Sequence, residues 1–396
     1  MLAAASTHTV LLKSDGTAVG CGHNFGLWNF PPLEGDLTYT QVAAGFLHTI
    51  LLRSDGSATT WGDHRLEQCE IPTLDRGLAY TQVAAGGWHS ALLKSDGTAV
   101  VCCHRSGEHY SLPTLDGGLT YTYVAAGVLN TVLIRSDGAA LFHDLDGDYL
   151  VLGRNSDCRS LVPTSQRTTF TQAAAGDHHV VLLRKDGTAI TLGFTGLPCV
   201  RDTIYTIPGL EDDLKYTHVA AGAHHTVLLR SDGAAVASGD NGCGQCEIPP
   251  LEAGMSYTDV FAGRKHTVLL RSDGTAVACG DNSSGQCNIP TLEGGLTFGL
   301  PTLVLQASFE NECVRFKSCS GRDMCQIRTE ITDSLADMRA QLANRLGQMC
   351  TRVDAIFPGG EILSKLLREE PLAVMGLLRP PVAEPPLKKS KCLGQD

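Results

Sequence analysis

The chain has 396 residues, 43% hydrophobic and 18% charged, with a formal net charge of −11. That length allows two or three domains and a sizeable core, and no run of 18 apolar residues is present to span a membrane. The 15 cysteines are odd in number and scattered, which argues against a disulfide framework and for reduced thiols in a cytoplasmic or nuclear setting. Met1–Leu12 lacks the basic start and small-residue cleavage site of a signal peptide.

From the first residues the chain repeats itself. A core of the form Ala-Gly-x-x-His-Thr-x-x-Leu-x-Arg-Ser-Asp-Gly-x-Ala recurs with its aspartate at Asp15, Asp55, Asp96, Asp137, Asp186, Asp232 and Asp273, at gaps of 40, 41, 41, 49, 46 and 41 residues. A fixed period of this length marks a repeat architecture. In the clearest unit, Tyr257–Pro290, the runs 257–262 and 266–271 are rich in Val, Leu, Thr and Tyr, which suit strands. Asp273-Gly274 between 266–271 and 275–279 supplies a tight hairpin turn. His266, Val268 and Leu270 alternate with Thr267 and Leu269, so both faces are apolar and each sheet must pack between two neighbours.

The first unit begins part-way through an element, because Leu2-Ala3-Ala4-Ala5 matches Val42-Ala43-Ala44-Gly45. The missing Leu-Thr-aromatic piece stands after the last unit as Leu296-Thr297-Phe298. The aromatic position is then Tyr39, Tyr80, Tyr121, Phe170, Tyr216, Tyr257 and Phe298, one for each unit if the ends close a ring. Closure would remove exposed sheet edges. The expectation is a mostly β chain whose residues 1–301 form a seven-bladed propeller of about 41-residue repeats; a sequence truncated at its start is the alternative.

These repeats resemble the regulator of chromosome condensation repeat, through the Ala-Gly-x-x-His run, Trp61-Gly62, and Gly239-Asp240-Asn241 with Gly244-Gln245, again at Gly280-Asp281-Asn282 with Gly285-Gln286. The family's tryptophan becomes Cys21, Cys102, His143, Leu192, Ser238 and Cys279 elsewhere, and the unit is short, so blades of three strands or four both fit. The resemblance implies a structural role for His8, His48, His89, His179, His225 and His266. Each imidazole is expected to bond neighbouring backbone, a role Asn130 can imitate in the fourth unit.

Two units are longer, with insertions at 144–160 and 194–206. Such insertions collect on one face of a repeat protein, often the binding face. Tyr149, Arg154, Arg159, Phe194, Arg201 and Tyr205, residue types common at interface hot spots, are therefore the candidate partner-binding set. Residues 1–301 hold 18 Lys/Arg against 30 Asp/Glu, which disfavours nucleic acid. Asp144-x-Asp146-Gly147-Asp148 lacks the glycine and glutamate of a calcium loop. Cys243-x-x-Cys246 has no second pair at zinc spacing. No catalytic, cofactor or metal residues are expected.

After Phe298 the period stops. Residues 314–318 and 324–330 read as strands, Thr332-Asp333-Ser334 caps a helix over 335–347, Gly347 ends it, and 355–363 gives strand, turn, strand. Leu335, Met338, Leu342 and Leu346 make one apolar stripe. Residues 302–378 resemble ubiquitin, a small α+β fold of the β-grasp type, through Thr332-Asp333-Ser334-Leu335 and Ala355-Ile356-Phe357-Pro358-Gly359. The resemblance implies that Ile356, Cys319 and Met375 take the places of ubiquitin's recognition patch. Pro380-Pro381 replaces the terminal diglycine, so conjugation is not expected. The Pro- and Lys-rich stretch 379–396 reads as a disordered tail.

Together these readings predict a non-enzymatic scaffold or adaptor, monomeric, with the propeller gripping a protein partner and the ubiquitin-like domain recruiting ubiquitin- or proteasome-pathway factors. Two joined contacts gain effective concentration. Alternatives are nucleotide exchange on a small GTPase, known in the family, and a substrate receptor for a ubiquitin ligase whose catalytic domain lies elsewhere. Binding of nucleic acid, membrane or a cofactor is not expected.

Overall fold

The computed structural model describes residues 2–299 apart from 25–29, 31, 36, 63–69, 104–111, 114, 145–148, 153–168, 194–205 and 212. Beyond these it describes the backbone of four strands, 303–310, 313–318, 323–328 and 353–356. The chain divides into two compact units, Met1–Leu300 and Pro301–Asp396.

The first unit contains seven antiparallel sheets, one for each repeat. The second blade shows the plan: Tyr39–Ala44 pairs with His48–Arg53, which pairs with Ala58–Gly62. The middle strand is the most buried, because its alternating residues pack on both neighbouring blades. In the last blade Val268 and Leu270 join a cluster with Leu2 and Leu11 of the first. Leu269 on the opposite face packs with Val227 and Leu229 of the sixth. Seven such clusters lie between successive blades and return to the start. The first strands of successive blades also adjoin one another in a closed circle, so they form the inner ring of a propeller.

Closure runs through Phe298. It bridges Lys13 in the antiparallel sense, as Tyr39 faces Arg53 in the second blade. Gly299 donates its amide to Leu12 at 2.9 Å, and Ser14 donates to Thr297 at 2.8 Å. The Phe298 amide also bonds the Gly274 carbonyl of the seventh blade at 2.7 Å, as Tyr39 bonds Gly16 and Tyr80 bonds Gly56. Phe298 thus completes the inner strand of the first blade.

The turn glycines explain their own recurrence. Gly274, at φ +81, sits so close to the next unit that a Cβ would lie 2.5 Å from Thr297 Cβ. The preceding aspartate fixes the turn by accepting from residues two places on: Thr275 N at 2.8 Å and Thr275 Oγ1 at 2.7 Å on Asp273. Where that threonine is alanine, at Ala139 and Ala234, the strand-end arginine takes over. Arg135 Nη2 reaches Asp137 Oδ2 at 2.6 Å, and Arg230 bonds Asp232 in the same way.

Among the described residues each blade has three strands except the fourth, where Tyr149–Leu152 adds an outer strand against Ala140–Asp144. Part of the insertion at 144–160 is therefore a strand: Tyr149-Leu150-Val151-Leu152 is itself a β-favouring run and extends the sheet.

In the second unit, the strand Leu303–Glu310 lies between Cys313–Ser318, antiparallel, and Val353–Ile356, parallel, with Asp323–Arg328 at the far edge. The sequence reading began its strands at Val314 and did not anticipate Leu303–Glu310. The helix expected over 335–347 and the tail from 379 lie outside the described residues.

Candidate interaction surface at the mouth of the ring

Each Ala-Gly-x-x-His segment turns from inner to middle strand at the same end of the ring. Its glycine has no room for a side chain: a Cβ on Gly86 would lie 2.3 Å from His89 Cε1 and 2.5 Å from the Gly127 carbonyl of the next blade. The same clash recurs from Gly45 round to Gly263, which faces the Ala5 carbonyl. Backbones therefore touch around the mouth, and amides bond across it, Gly87 to Gly127 and Arg264 to Ala5, both at 3.0 Å.

Beneath this rim runs a belt of imidazoles. His8, His48, His89, His179, His225 and His266 are fully buried. Each places Nε2 on a hydroxyl of the following blade: Thr49 at 3.2 Å, Ser90 at 3.1 Å, Thr131, Thr226 and Thr9 at 2.9 Å, and Thr267 at 3.0 Å. The imidazoles thus link each blade to the next through side-chain hydroxyls, and His48 and His179 also meet the backbone of the neighbour at His89 and Ala223. In two blades the hydroxyl proton is committed elsewhere, Thr267 to the Gln245 carbonyl at 2.7 Å and Thr9 to that of Gln286 at 2.9 Å. His225 and His266 must then donate from Nε2. Burial, joined by neighbouring imidazoles, drives their pKa down from 6.5, to about 3 at His8, His89 and His179 and about 4 at His48, His225 and His266. The belt is neutral and has no acid–base role near pH 7.

The two residues between this glycine (Ala5 in the first blade) and the histidine (Asn130 in the fourth) form the turn above this belt, with Trp88, Leu129, His178, His224, Arg264 and Lys265 exposed and Gly87 and Ala223 buried. They read Ser6-Thr7, Phe46-Leu47, Gly87-Trp88, Val128-Leu129, Asp177-His178, Ala223-His224 and Arg264-Lys265. No pair occurs twice, although the frame around them is nearly constant. The mouth is accordingly uneven, apolar over blades two to four and polar over blades five to seven. Trp88, 36% exposed, and Leu129, 54% exposed, are the exposed large hydrophobic residues among those described. Trp88 meets Phe46 edge to face with ring centroids 5.9 Å apart. His178 and His224 stack at 4.7 Å. Arg264 reaches across the opening, its Nε 3.0 Å from Asp177 Oδ2 and its guanidinium carbon 5.5 Å from the Phe46 ring centre.

The sequence-predicted set fares differently. The ladders pair Asn130 with Asp144 and His179 with Gly193, so both insertions leave the sheets at the mouth end. Tyr149 starts the extra strand; Arg154, Arg159, Phe194, Arg201 and Tyr205 lie outside the described residues, as do Cys319 and Met375. Ile356 is the last residue of its strand. None of these side chains is placed together with another. Cys243 and Cys246 are free thiols, the Cys246 Sγ donating to the Asp240 carbonyl at 3.3 Å. Among the described residues no cluster of three or more His, Cys, Asp or Glu could hold a metal, and no helix is long and apolar enough to cross a membrane. The mouth residues were missed because the reading followed what the repeats share, whereas the signal was the one pair that changes in every copy.

Residues 39–68, 216–245 and 257–286 match the family described as the regulator of chromosome condensation (RCC1) repeat. No curated protein sequence matches the chain. Among solved structures, the chain is similar to the CRINKLY WD40 ectodomain of the Arabidopsis thaliana receptor kinase ACR4, at 18% identity and TM-score 0.52 over 70% of this chain and 94% of that one. Human WBSCR16 is similar at 19% identity and TM-score 0.55, over 68% and 86%. Prp20p of Saccharomyces cerevisiae, described with its binding to Gsp1p and histones, is similar at 17% identity and TM-score 0.50, over 66% and 80%. Three of the seven repeats thus match the RCC1 repeat, and the sheets with their closure make the described part of residues 1–300 a β-propeller.

Proposed function

We propose that this protein is a non-enzymatic interaction scaffold whose propeller captures a protein partner at its mouth. The observation that carries this reading is the variable pair, different in all seven copies of an otherwise repeated core and gathered on one face with Trp88 and Leu129 exposed. An aromatic anchor beside aliphatic side chains, rimmed by polar groups, is the composition of an interface core. The insertions of the fourth and fifth blades leave at the same end, which makes Tyr149, Arg154, Arg159, Phe194, Arg201 and Tyr205 candidates for the rim of that interface. In the same proposal, residues 302–378 form a ubiquitin-like module that recruits ubiquitin- or proteasome-pathway factors, and the protein works as a cytoplasmic or nuclear monomer.

The test is affinity capture with the full chain, wild type against Trp88→Ala/Leu129→Ser, followed by direct binding of each identified partner. Loss of a partner with retained thermal stability supports the mouth. Retention of every partner by the double variant overturns it. A second reading, nucleotide exchange on a small GTPase, draws on the similarity to Prp20p with its Gsp1p binding. Faster nucleotide release from a captured GTPase on addition of the protein would establish it in place of the scaffold. A ligase substrate receptor is the third reading, and it requires partner ubiquitination that depends on this chain.

A further inference from the structure

Arg264 holds an unusual position for a rim cation. It belongs to the seventh blade, yet it meets Asp177 of the fifth and Phe46 of the second, so it lies across the opening. The carboxylate it covers is recessed: the Asp177 side chain is 11% exposed, against 49% for Arg264. The aromatic face it covers is buttressed by Trp88. A recessed carboxylate opposite an aromatic face, with a second aromatic ring at its edge, is a receptor for a guanidinium. Here the guanidinium comes from the ring itself.

We infer that Phe46, Trp88 and Asp177 bind an arginine of a basic peptide segment in a partner protein, and that Arg264 occupies this site until the partner displaces it. The inference rests on the reading of the mouth as the docking face. Charge argues for a basic occupant. Residues 1–301 carry 30 acidic against 18 basic side chains, and the field of such a body draws cationic partners. Asp240 and Asp281 lie on the adjoining turns, their amides bonded at 2.8 Å to the carbonyls of His224 and Lys265. Trp88, whose ring meets Phe46, is itself exposed and would take an apolar residue flanking the arginine.

An internal competitor lowers apparent affinity by the fraction of time it holds the site. One exposed ion pair with one cation–π contact corresponds to about a tenfold effect. The experiment is fluorescence anisotropy on the full chain with a labelled peptide alternating Arg and Leu, and with Lys/Leu and Glu/Leu peptides as comparisons. Arg264→Ala is expected to bind the Arg/Leu peptide about tenfold more tightly than wild type, and more tightly than it binds the Lys/Leu peptide. Adding Asp177→Asn or Phe46→Ala to Arg264→Ala should abolish the gain, with thermal melts confirming folded protein. Unchanged or weaker Arg/Leu binding by Arg264→Ala overturns the inference. Binding of the Glu/Leu peptide that Arg264→Ala removes also overturns it, since Arg264 would then be the anchor for an acidic partner. A natural partner lost with Trp88→Ala/Leu129→Ser but indifferent to Arg264→Ala would leave the mouth as the docking face while refuting the guanidinium receptor.

Discussion

The hydroxyl of Thr9, in the first repeat, lies 2.9 Å from Nε2 of His266 in the last, 257 residues away, and gives its own proton to the Gln286 carbonyl. One side chain therefore joins the ends of the ring, as acceptor from the imidazole and donor to the backbone. Thr9→Val keeps the shape and removes both bonds, leaving the buried His266 N–H and Gln286 carbonyl without that partner. The expected loss is about 2–3 kcal/mol, read as a lower urea midpoint. Thr9→Ser should recover most of it. Equal stability of the valine and serine variants would show that closure does not depend on this hydroxyl.

The imidazole belt predicts a distinct acid response. The six histidines keep folded pKa values of about 3 to 4 against 6.5 when unperturbed. Below pH 6.5 the unfolded chain binds protons that the folded chain refuses, so stability is full above that value and falls as pH drops toward 4. At pH 5 the loss is on the order of 1–2 kcal/mol for each histidine, which for six together is comparable with an ordinary domain stability of about 5–15 kcal/mol. The turn carboxylates, such as Asp15 and Asp273, are held below 3.8 by bonds from Thr17 and Thr275 and weaken only in a lower window. Circular dichroism against pH should show unfolding between about pH 6 and pH 5. A propeller intact at pH 4.5 would contradict a neutral, buried belt.

Crowding at the mouth predicts a sharp contrast between glycines. A Cβ at Gly86 would lie within 2.5 Å of the Gly127 carbonyl, which is itself fixed in the next turn. Gly86→Ala should cost about 1–3 kcal/mol through overpacking, a fall of several degrees in melting temperature. Gly209→Ala meets nothing within 4 Å and should be close to neutral. Similar melts for the two variants would mean that the inner turns yield to a methyl group at little cost.

Most of the propeller is legible in the chain because its causes are local and repeated. Asp-Gly sets each hairpin, alternation in the middle strand sets two apolar faces, and Phe298, the seventh aromatic of the series, supplies the inner-strand piece that the first unit lacks. The inter-blade bonds are hidden in a different way. Histidine and threonine adjoin in sequence, yet each histidine serves the threonine of the next copy, a relation that only closure reveals. The arginine that replaces a turn threonine at Asp137 and Asp232 is likewise visible only once the turn is built. In the second unit the alternation Leu303, Leu305, Ala307, Phe309 marks a strand that carries none of the residues resembling ubiquitin. The mouth residues were hardest to see, since their message is departure from the repeat.

The fourth blade breaks the belt, and the break is paired. Asn130 replaces the histidine in the same place where the following blade has Val180 instead of Thr or Ser. The Asn130 Oδ1 is buried without a hydrogen-bond partner, and Val180 is wholly buried against an apolar cluster that includes Phe142 and Leu192. Asn130→His alone should destabilise, because its Nε2 would face an isopropyl group. Val180→Thr alone should also destabilise, by burying a hydroxyl among apolar side chains. Together they rebuild the histidine–hydroxyl link that six other interfaces carry, so the double variant should be more stable than the sum of the singles by about 1–2 kcal/mol. A double-mutant cycle from urea denaturation measures this coupling directly. A coupling near zero would mean that the fourth and fifth blades do not meet as the other pairs do, and that Asn130 and Val180 record a different contact and not a lost one.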